Sequence, residues 1–425
     1  MSSSPSPTPL RGGLIFTLGA LSFAYAFLQR VAPSAMVSDL MQSFQVGAAV
    51  LGNLSAIYFY AYVALQMPIG ALVDRWGPRR IITSFLLLGA VGSAVFGLAT
   101  TIEQAYIGRL LVGIGASCGL IAPLALAAKW FPPHRFAFLS GTAMLFGVAG
   151  GFIGQGPFAG LVTTFGWRPA ILGAAVFAAL LALITWLVVR DGPAGTAEKP
   201  AGAPVKLLAG MNQVLRSGEA WALGFVATAS TGPMLAFGAL WGVPYMAERF
   251  DLSRTDAAFY TSLMLVGWAA GAPFGGWVSD AVGRRKPPLV ISTSVSTVLV
   301  LVVFYGPDLP LLPTTALLIL IGFMGAWMAS TYAYARETVS PRIHGAVTGF
   351  VNMMTVASGA LLQPVVGLLL DWQWDGAVQD GVRVYTRAMY ETAFLSIAAY
   401  CALGVVAILF ARETFCKQRP GTVEA

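Results

Sequence analysis

The sequence predicts an all-α membrane protein, twelve transmembrane helices in two six-helix bundles, and three observations lead there. Apolar runs close to the ~20 residues that cross a bilayer recur along the whole chain. Basic residues gather in alternate loops, and landmarks repeat at a spacing of 206–208 residues. With 57% hydrophobic and 10% charged residues, the chain lies far below the roughly 25% charged content of soluble domains. Runs such as 85–100 and 174–189 do not alternate apolar with polar, so barrel strands are excluded.

Taken in order, residues 1–13 (MSSSPSPTPLRGG) read as a disordered cytoplasmic tail, followed by an uncleaved first helix because no convincing cleavage site follows it. Spans are expected near 14–36, 47–73, 81–100, 104–128, 136–162 and 168–189 in an N-terminal bundle, 14–189. A Pro-, Gly- and charge-rich stretch, RDGPAGTAEKPAGAPVK, opens a cytoplasmic linker at 190–216. The second bundle, 217–412, is expected to hold spans near 219–246, 257–280, 288–306, 312–336, 343–370 and 387–411, with a cytoplasmic tail at 413–425.

An even number of spans puts both termini on one side. Eighteen Lys/Arg fall on the face of the tail, the linker and the loops after even-numbered spans, against five on the other face. The first face is therefore expected to be cytoplasmic, in a bacterial inner membrane. The net charge of +7 is thus a topology signal, and its dispersal over loops argues against a nucleic-acid partner. The repeat is carried by Asp74 and Asp280, Pro133 and Pro341, Gly141 and Gly349, and Pro157 and Pro364. Copies with an even number of helices run in the same direction, as in transporters that rock two bundles about a central site. Cys118, Cys401 and Cys416 have neither metal-ligand spacing nor a disulfide framework.

The loop Gly70, Asp74, Arg75, Gly77, Arg79, Arg80 fits G-xxx-D-R-x-G-x-R-R and resembles the signature of the major facilitator superfamily. Its copy, Gly276, Asp280, Gly283, Arg285, Lys286, has Ala281 where a basic residue is expected. GRLLVGIGAS at 108–117 resembles the superfamily's fourth-helix motif, an Arg followed by a glycine face. The resemblance implies the 6+6 fold of that superfamily and covers nearly the whole chain. It also implies that Gly70, Asp74, Arg75, Arg79, Arg80, Arg109, Asp280 and Arg285 serve conformational gating, with Asp74 and Arg75 locking the cytoplasmic side when the outer side is open. Physically, an aspartate at a helix end can sit against the positive N-terminus of a neighbouring helix while the arginines stay among headgroups. The missing basic residue at 281 predicts a weaker second latch.

Arg30 stands apart. At about 1.5 Å per residue it lies roughly 24 Å along the first helix, inside the apolar core, where an unpaired cation is costly and is by default a functional candidate. Snorkelling or bonding to carbonyls is the bland alternative. Against it, Pro33 should disturb the helix, and Tyr58, Tyr62 and Gln66 recur every four residues to make one polar face on the second helix. A guanidinium with phenolic hydroxyls suits a carboxylate or phosphate. The sequence around Arg30, with A-x-S-A-M and Y-x3-Y-x3-Q-x-P-x-G, is similar to the organic-anion/anion-cation symporter branches, where a first-helix Arg binds the anion. Trp241, Trp327 and Asn352 are expected to line the same cavity from the second half. The second half offers no basic residue inside its spans away from their ends, which argues against cargo with two widely separated negative charges.

The expected activity is transport, by rocker-switch alternating access, of a small organic anion. Sequence favours uptake over efflux. No P-loop is present. Co-transported protons could enter on the substrate, through Glu391 or Asp39, or not at all. A looser resemblance to lysosomal dipeptide transporter-like members keeps a dipeptide, amino-acid or siderophore-like solute as the alternative, although GASCG at 115–119 lacks the acid that such a fourth helix would use. A non-transporting membrane sensor is a second alternative. No enzyme constellation, metal or cofactor is expected, and the partners are a small anionic solute and the lipid bilayer, with the chain working as a monomer.

Overall fold

The computed structural model describes residues 9–132, 135–192, 207–340, 343–379 and 381–418. Among these, twelve helices are long and apolar enough to cross a membrane. They run Leu10–Phe44, Ala48–Trp76, Pro78–Leu98, Ile102–Trp130, Phe136–Phe165 and Trp167–Val188 in the first half. The second half holds Gly218–Phe250, Arg254–Val282, Lys286–Tyr305, Leu311–Glu337, His344–Gln373 and Arg387–Phe410. The face where the first span begins is called near, the opposite one far.

Two boundary expectations change. The first helix, Pro9–Val31, takes in the end of the stretch read as a tail, of which residues 1–8 lie outside the described residues. The expected linker contains a helix, Leu207–Leu215, whose Gly210 rests against Ile343 at the start of the eleventh span. The intervening 193–206 lie outside the described residues.

Four spans depart from α geometry. The first tightens into a 3-10 turn at Ala32–Met36, with Pro33 in its first positions; the fourth breaks at Ser117–Leu120. The seventh loosens into a π stretch at Met234–Trp241 after Pro233, and the tenth tightens again at Ala326–Ala329. First and seventh, and fourth and tenth, are equivalent positions in the two halves. Irregular backbone at membrane depth survives only where protein or a cavity meets its polar groups, so these four breaks mark the interior.

Glycine packing draws the helices together. A Cβ on Gly113 would lie 2.4 Å from the Tyr58 carbonyl oxygen, and one on Gly108 2.6 Å from the Phe96 backbone nitrogen. The fourth span is thereby pressed against the second and third, the close approach that small residues allow in membranes. On the lipid side the sixth and twelfth spans expose Val176, Leu180, Leu187, Leu403 and Phe410. A short antiparallel hairpin, β1 (Val378–Gln379) and β2 (Val382–Arg383), stands on the far face before the twelfth span, turning through Gly381 at φ +78°.

The halves meet over the far part of the membrane and part toward the near face. The second and eleventh spans touch where Gly52 meets the Gln363 carbonyl and Gly367 meets that of Ala48, at 2.5 and 2.3 Å from an ideal Cβ. At the near ends, Gly70, Gly141, Gly276 and Gly345 have open space instead.

Candidate functional site

Between the halves lies a cavity of about 550 Å³, bordered by the irregular stretches of the fourth, seventh and tenth spans and by Val31, the residue before that of the first. It reaches the near-face portions of the fifth, eighth and tenth spans at Gly141, Pro273 and Tyr332, so it opens toward that face. Arg30 enters its wall two residues before the 3-10 stretch. The residue is 6% exposed, and its Nε has no hydrogen-bond partner. Its guanidinium lies 4.3 Å from the Phe27 ring centre, 5.1 Å from that of Tyr62 and 6.0 Å from that of Tyr58. No carboxylate among the described residues comes within ion-pair distance of it. Ring faces attract a cation but only partly replace its lost water, so a positive charge stands ready for an anion.

Behind this group the sequence builds a support. Tyr58 is fully buried and donates its hydroxyl to the Ala26 carbonyl at 2.9 Å. Its ring also lies 5.2 Å from the guanidinium of Arg109, which is fully buried and donates to the Gln29 carbonyl at 2.9 Å. Gln29 in turn donates to Tyr25 and Ser93 at 2.9 and 3.0 Å. Tyr58 is thus a backing ring shared by two arginines, and it does not line the cavity.

A polar seam crosses between halves at the same level. Gln66 donates to the Ser117 carbonyl at 3.2 Å, Asn352 donates to the Gln66 side-chain oxygen, and Tyr332 donates to Asn352 at 2.9 Å. Of the residues expected at the substrate site, Arg30, Tyr62 and Asn352 face the cavity and Gln66 touches it through Asn352. The two tryptophans do not. Trp241 is fully buried toward the far face, its indole N–H donating to the Gln363 carbonyl at 3.0 Å. Trp327 lies in the tenth-span 3-10 turn, between Gly275 and the Phe274 ring, while its neighbours Ala326 and Met328 take the lining. Both lie within the π and 3-10 stretches, where the relation between residue position and helix face departs from that of an ideal α-helix. Trp268, Tyr332, Thr142 and Met144 line the cavity unforeseen, since nothing in sequence separates them from ordinary packing residues.

Far-face contacts hold the halves together. Asp39 meets Arg254 at 2.5 Å, and Ser38 meets the same guanidinium at 3.0 Å. Asp371, at the end of the eleventh span, accepts from the backbone N–H groups of Ala48 and Ala49 at 3.1 and 2.9 Å and so caps the second span from the other half. Arg383 and Tyr385 donate to the same carboxylate at 3.1 and 2.5 Å. Glu391 is engaged by Arg387 at 2.6 Å.

At the near face the expected latch residues are apart. Asp74, Arg75 and Arg80 are exposed, and Gly70 faces open space. Arg79 stacks on the Trp186 ring at 4.1 Å and donates to its carbonyl at 2.7 Å. The copy in the second half is the more tightly tied of the two: Asp280 pairs with Arg285 at 2.7 Å and Arg285 with Glu337 at 2.8 Å. Arg285, rather than position 281, supplies the cation. Although burial opposes its charge, the carboxylates of Glu337 and Asp280 hold Arg285 above its ordinary value.

The family model for the Major Facilitator Superfamily matches residues 18–242 and 234–425. The chain belongs to that superfamily. The 4-hydroxybenzoate transporter PcaK of Pseudomonas putida is 26% identical over 91% of the chain and 90% of its own length. The probable nitrate/nitrite antiporter NarK1 of Thermus thermophilus is 24% identical over 84% and 85%. Three other curated relatives are matched over only 63%, 36% and 66% of their own length. A bacterial homologue of the human lysosomal transporter Spinster, solved in an inward-facing, unoccupied conformation, superposes with a TM-score of 0.78 at 17% identity, covering 97% of this chain and 99% of that one. The superfamily fold of two six-helix bundles is therefore the fold of this chain.

Proposed function

We propose that this superfamily member is a secondary transporter of a small organic anion, working by alternating access, with Arg30 as the anion-binding group. The observation that carries this is a buried guanidinium on the wall of the cavity between the halves, with no carboxylate in ion-pair reach among the described residues. Relatives named for 4-hydroxybenzoate and for nitrate/nitrite, both anions, support it. A zwitterionic cargo fits less well, because no acidic side chain among the described residues lines the cavity.

In this reading the bundles 14–189 and 217–412 move as units about Arg30, the near face is cytoplasmic, and the form described here is open to the cytoplasm. Opening the far side would separate Asp39 from Arg254 and Asp371 from the second span, and would bring Gly70, Asp74 and Arg75 against the second half. Anion uptake into proteoliposomes tests the reading. Arg30→Ala should abolish counterflow of the cargo and Arg30→Lys should reduce it at least tenfold, because a lysine cannot offer two parallel donors. Wild-type rates in both, at equal incorporation, would sink it.

A further inference from the structure

The cavity wall carries one charged side chain among many apolar ones, and this narrows the cargo. Of the polar side chains on that wall, Thr142 donates to the Phe138 carbonyl at 2.9 Å, Thr355 to that of Val351 at 2.8 Å and Thr231 to that of Thr355 at 2.7 Å. Tyr332 and Asn352 are engaged in the seam to Gln66. The hydroxyl hydrogens of Thr142, Thr231, Thr355 and Tyr332 are thus used within the protein, which leaves the Arg30 guanidinium, with the Tyr62 hydroxyl beside it, as the strongest donor on the wall. Much of the remaining wall is apolar, with Met144, Leu145, Met234, Leu235, Leu265 and Val356. The second buried cation, Arg109, is screened from the cavity by Tyr58.

We infer that the cargo is a monoanionic acid with one apolar, ring-sized body, its carboxylate on Arg30 and its body against apolar wall residues such as Met144 and Leu265. The inference rests on the anion-carrier reading and deepens it. One accessible cation matches one negative charge. A cavity of about 550 Å³ lies within the range of about 300–1,000 Å³ that accepts drug-sized ligands, far more room than a small inorganic anion fills. A polyhydroxylated acid would give up water at each hydroxyl to a wall with few uncommitted polar groups, a loss with little return. An apolar body instead removes water from apolar wall and loses nothing.

The test is ligand-dependent thermal stabilisation of the detergent-purified full chain, which grows with concentration over Kd. The probes are benzoate and cyclohexanecarboxylate, nitrate, galacturonate, the dianion phthalate, and neutral benzyl alcohol. Benzoate and cyclohexanecarboxylate should bind at least tenfold more tightly than the other four, and Arg30→Gln should remove that advantage. Met144→Gln, which leaves Arg30 in place, should weaken the two apolar acids several-fold. Tighter binding of nitrate, galacturonate or phthalate, lost in Arg30→Gln, overturns this inference and leaves the anion carrier standing. Equal binding of benzyl alcohol and benzoate, unchanged in Arg30→Gln, overturns the anion carrier itself. A cooperatively melting protein that no apolar acid stabilises also overturns the inference.

Discussion

At the residue scale the molecule is organised around buried positive charge and the small residues that let aromatic rings reach it. Gly113 brings the fourth span onto the Tyr58 backbone, and Tyr58 then stands between Arg30 and Arg109. Gly113→Ala should therefore lower thermal stability by about 1–3 kcal/mol, the range for overpacking a tight contact, and should weaken anion binding because the backing ring moves. A melting curve with and without ligand checks both. Glu413 offers a pH-dependent case outside the spans. Burial opposes its charge, but backbone N–H groups of Arg285, Phe415, Lys286 and Thr414 more than offset this and hold its carboxyl below the usual range. A depressed carboxylate stabilises the fold above its ordinary value and loses that contribution as pH falls through the lowered one. Glu413→Gln should thus destabilise the protein at pH 7, with the difference from wild type shrinking in acid; a constant difference between pH 7 and pH 3 would remove the carboxylate from the explanation. Residues differed in how legible they were. Arg30 was conspicuous because a charge within an apolar run has few structural uses. Trp268 and Tyr332 were invisible because an aromatic in an apolar span looks the same whether it meets lipid, core or cavity.

At the element scale, the four irregular stretches decide which side chains the cavity receives. Sequence exposed one of them through Pro33, yet the placement of Trp241 and Trp327 within two others depends on hydrogen-bond patterns that side-chain periodicity does not encode. The cap on the second span was also hidden, because it joins residues 322 positions apart in the chain. Asp371→Asn keeps the shape and removes the charge facing that helix terminus. A cap is worth about 1 kcal/mol, so far-face opening should become roughly fivefold more frequent. Thiol labelling from the far side at Ala35→Cys, in a background lacking the native cysteines, should speed up accordingly; an unchanged rate would mean that the other far-face contacts alone hold the closure.

At the scale of the whole molecule, composition, basic-residue asymmetry and the repeat were enough to read twelve spans in two bundles, because a bilayer forces every span to declare itself in hydropathy. Which way the halves are tilted could not be read, since the same sequence must satisfy more than one arrangement. A thiol cross-link between Asp39→Cys and Arg254→Cys, placed where the halves already meet, should stop transport and release it on reduction. Full transport with the link closed would show that these halves do not separate at the far face.

The second span is preceded by Gly47, a residue without a capping side chain, and takes its cap from Asp371 of the other half. Parting the halves there transfers those backbone N–H groups, and the carboxylate that held them, from each other to solvent. Opening at the far face is therefore a hydration event as much as a movement. Excluded osmolytes, which penalise newly wetted surface, should hold that mouth shut, so the balance between the two faces is set partly by the water activity outside.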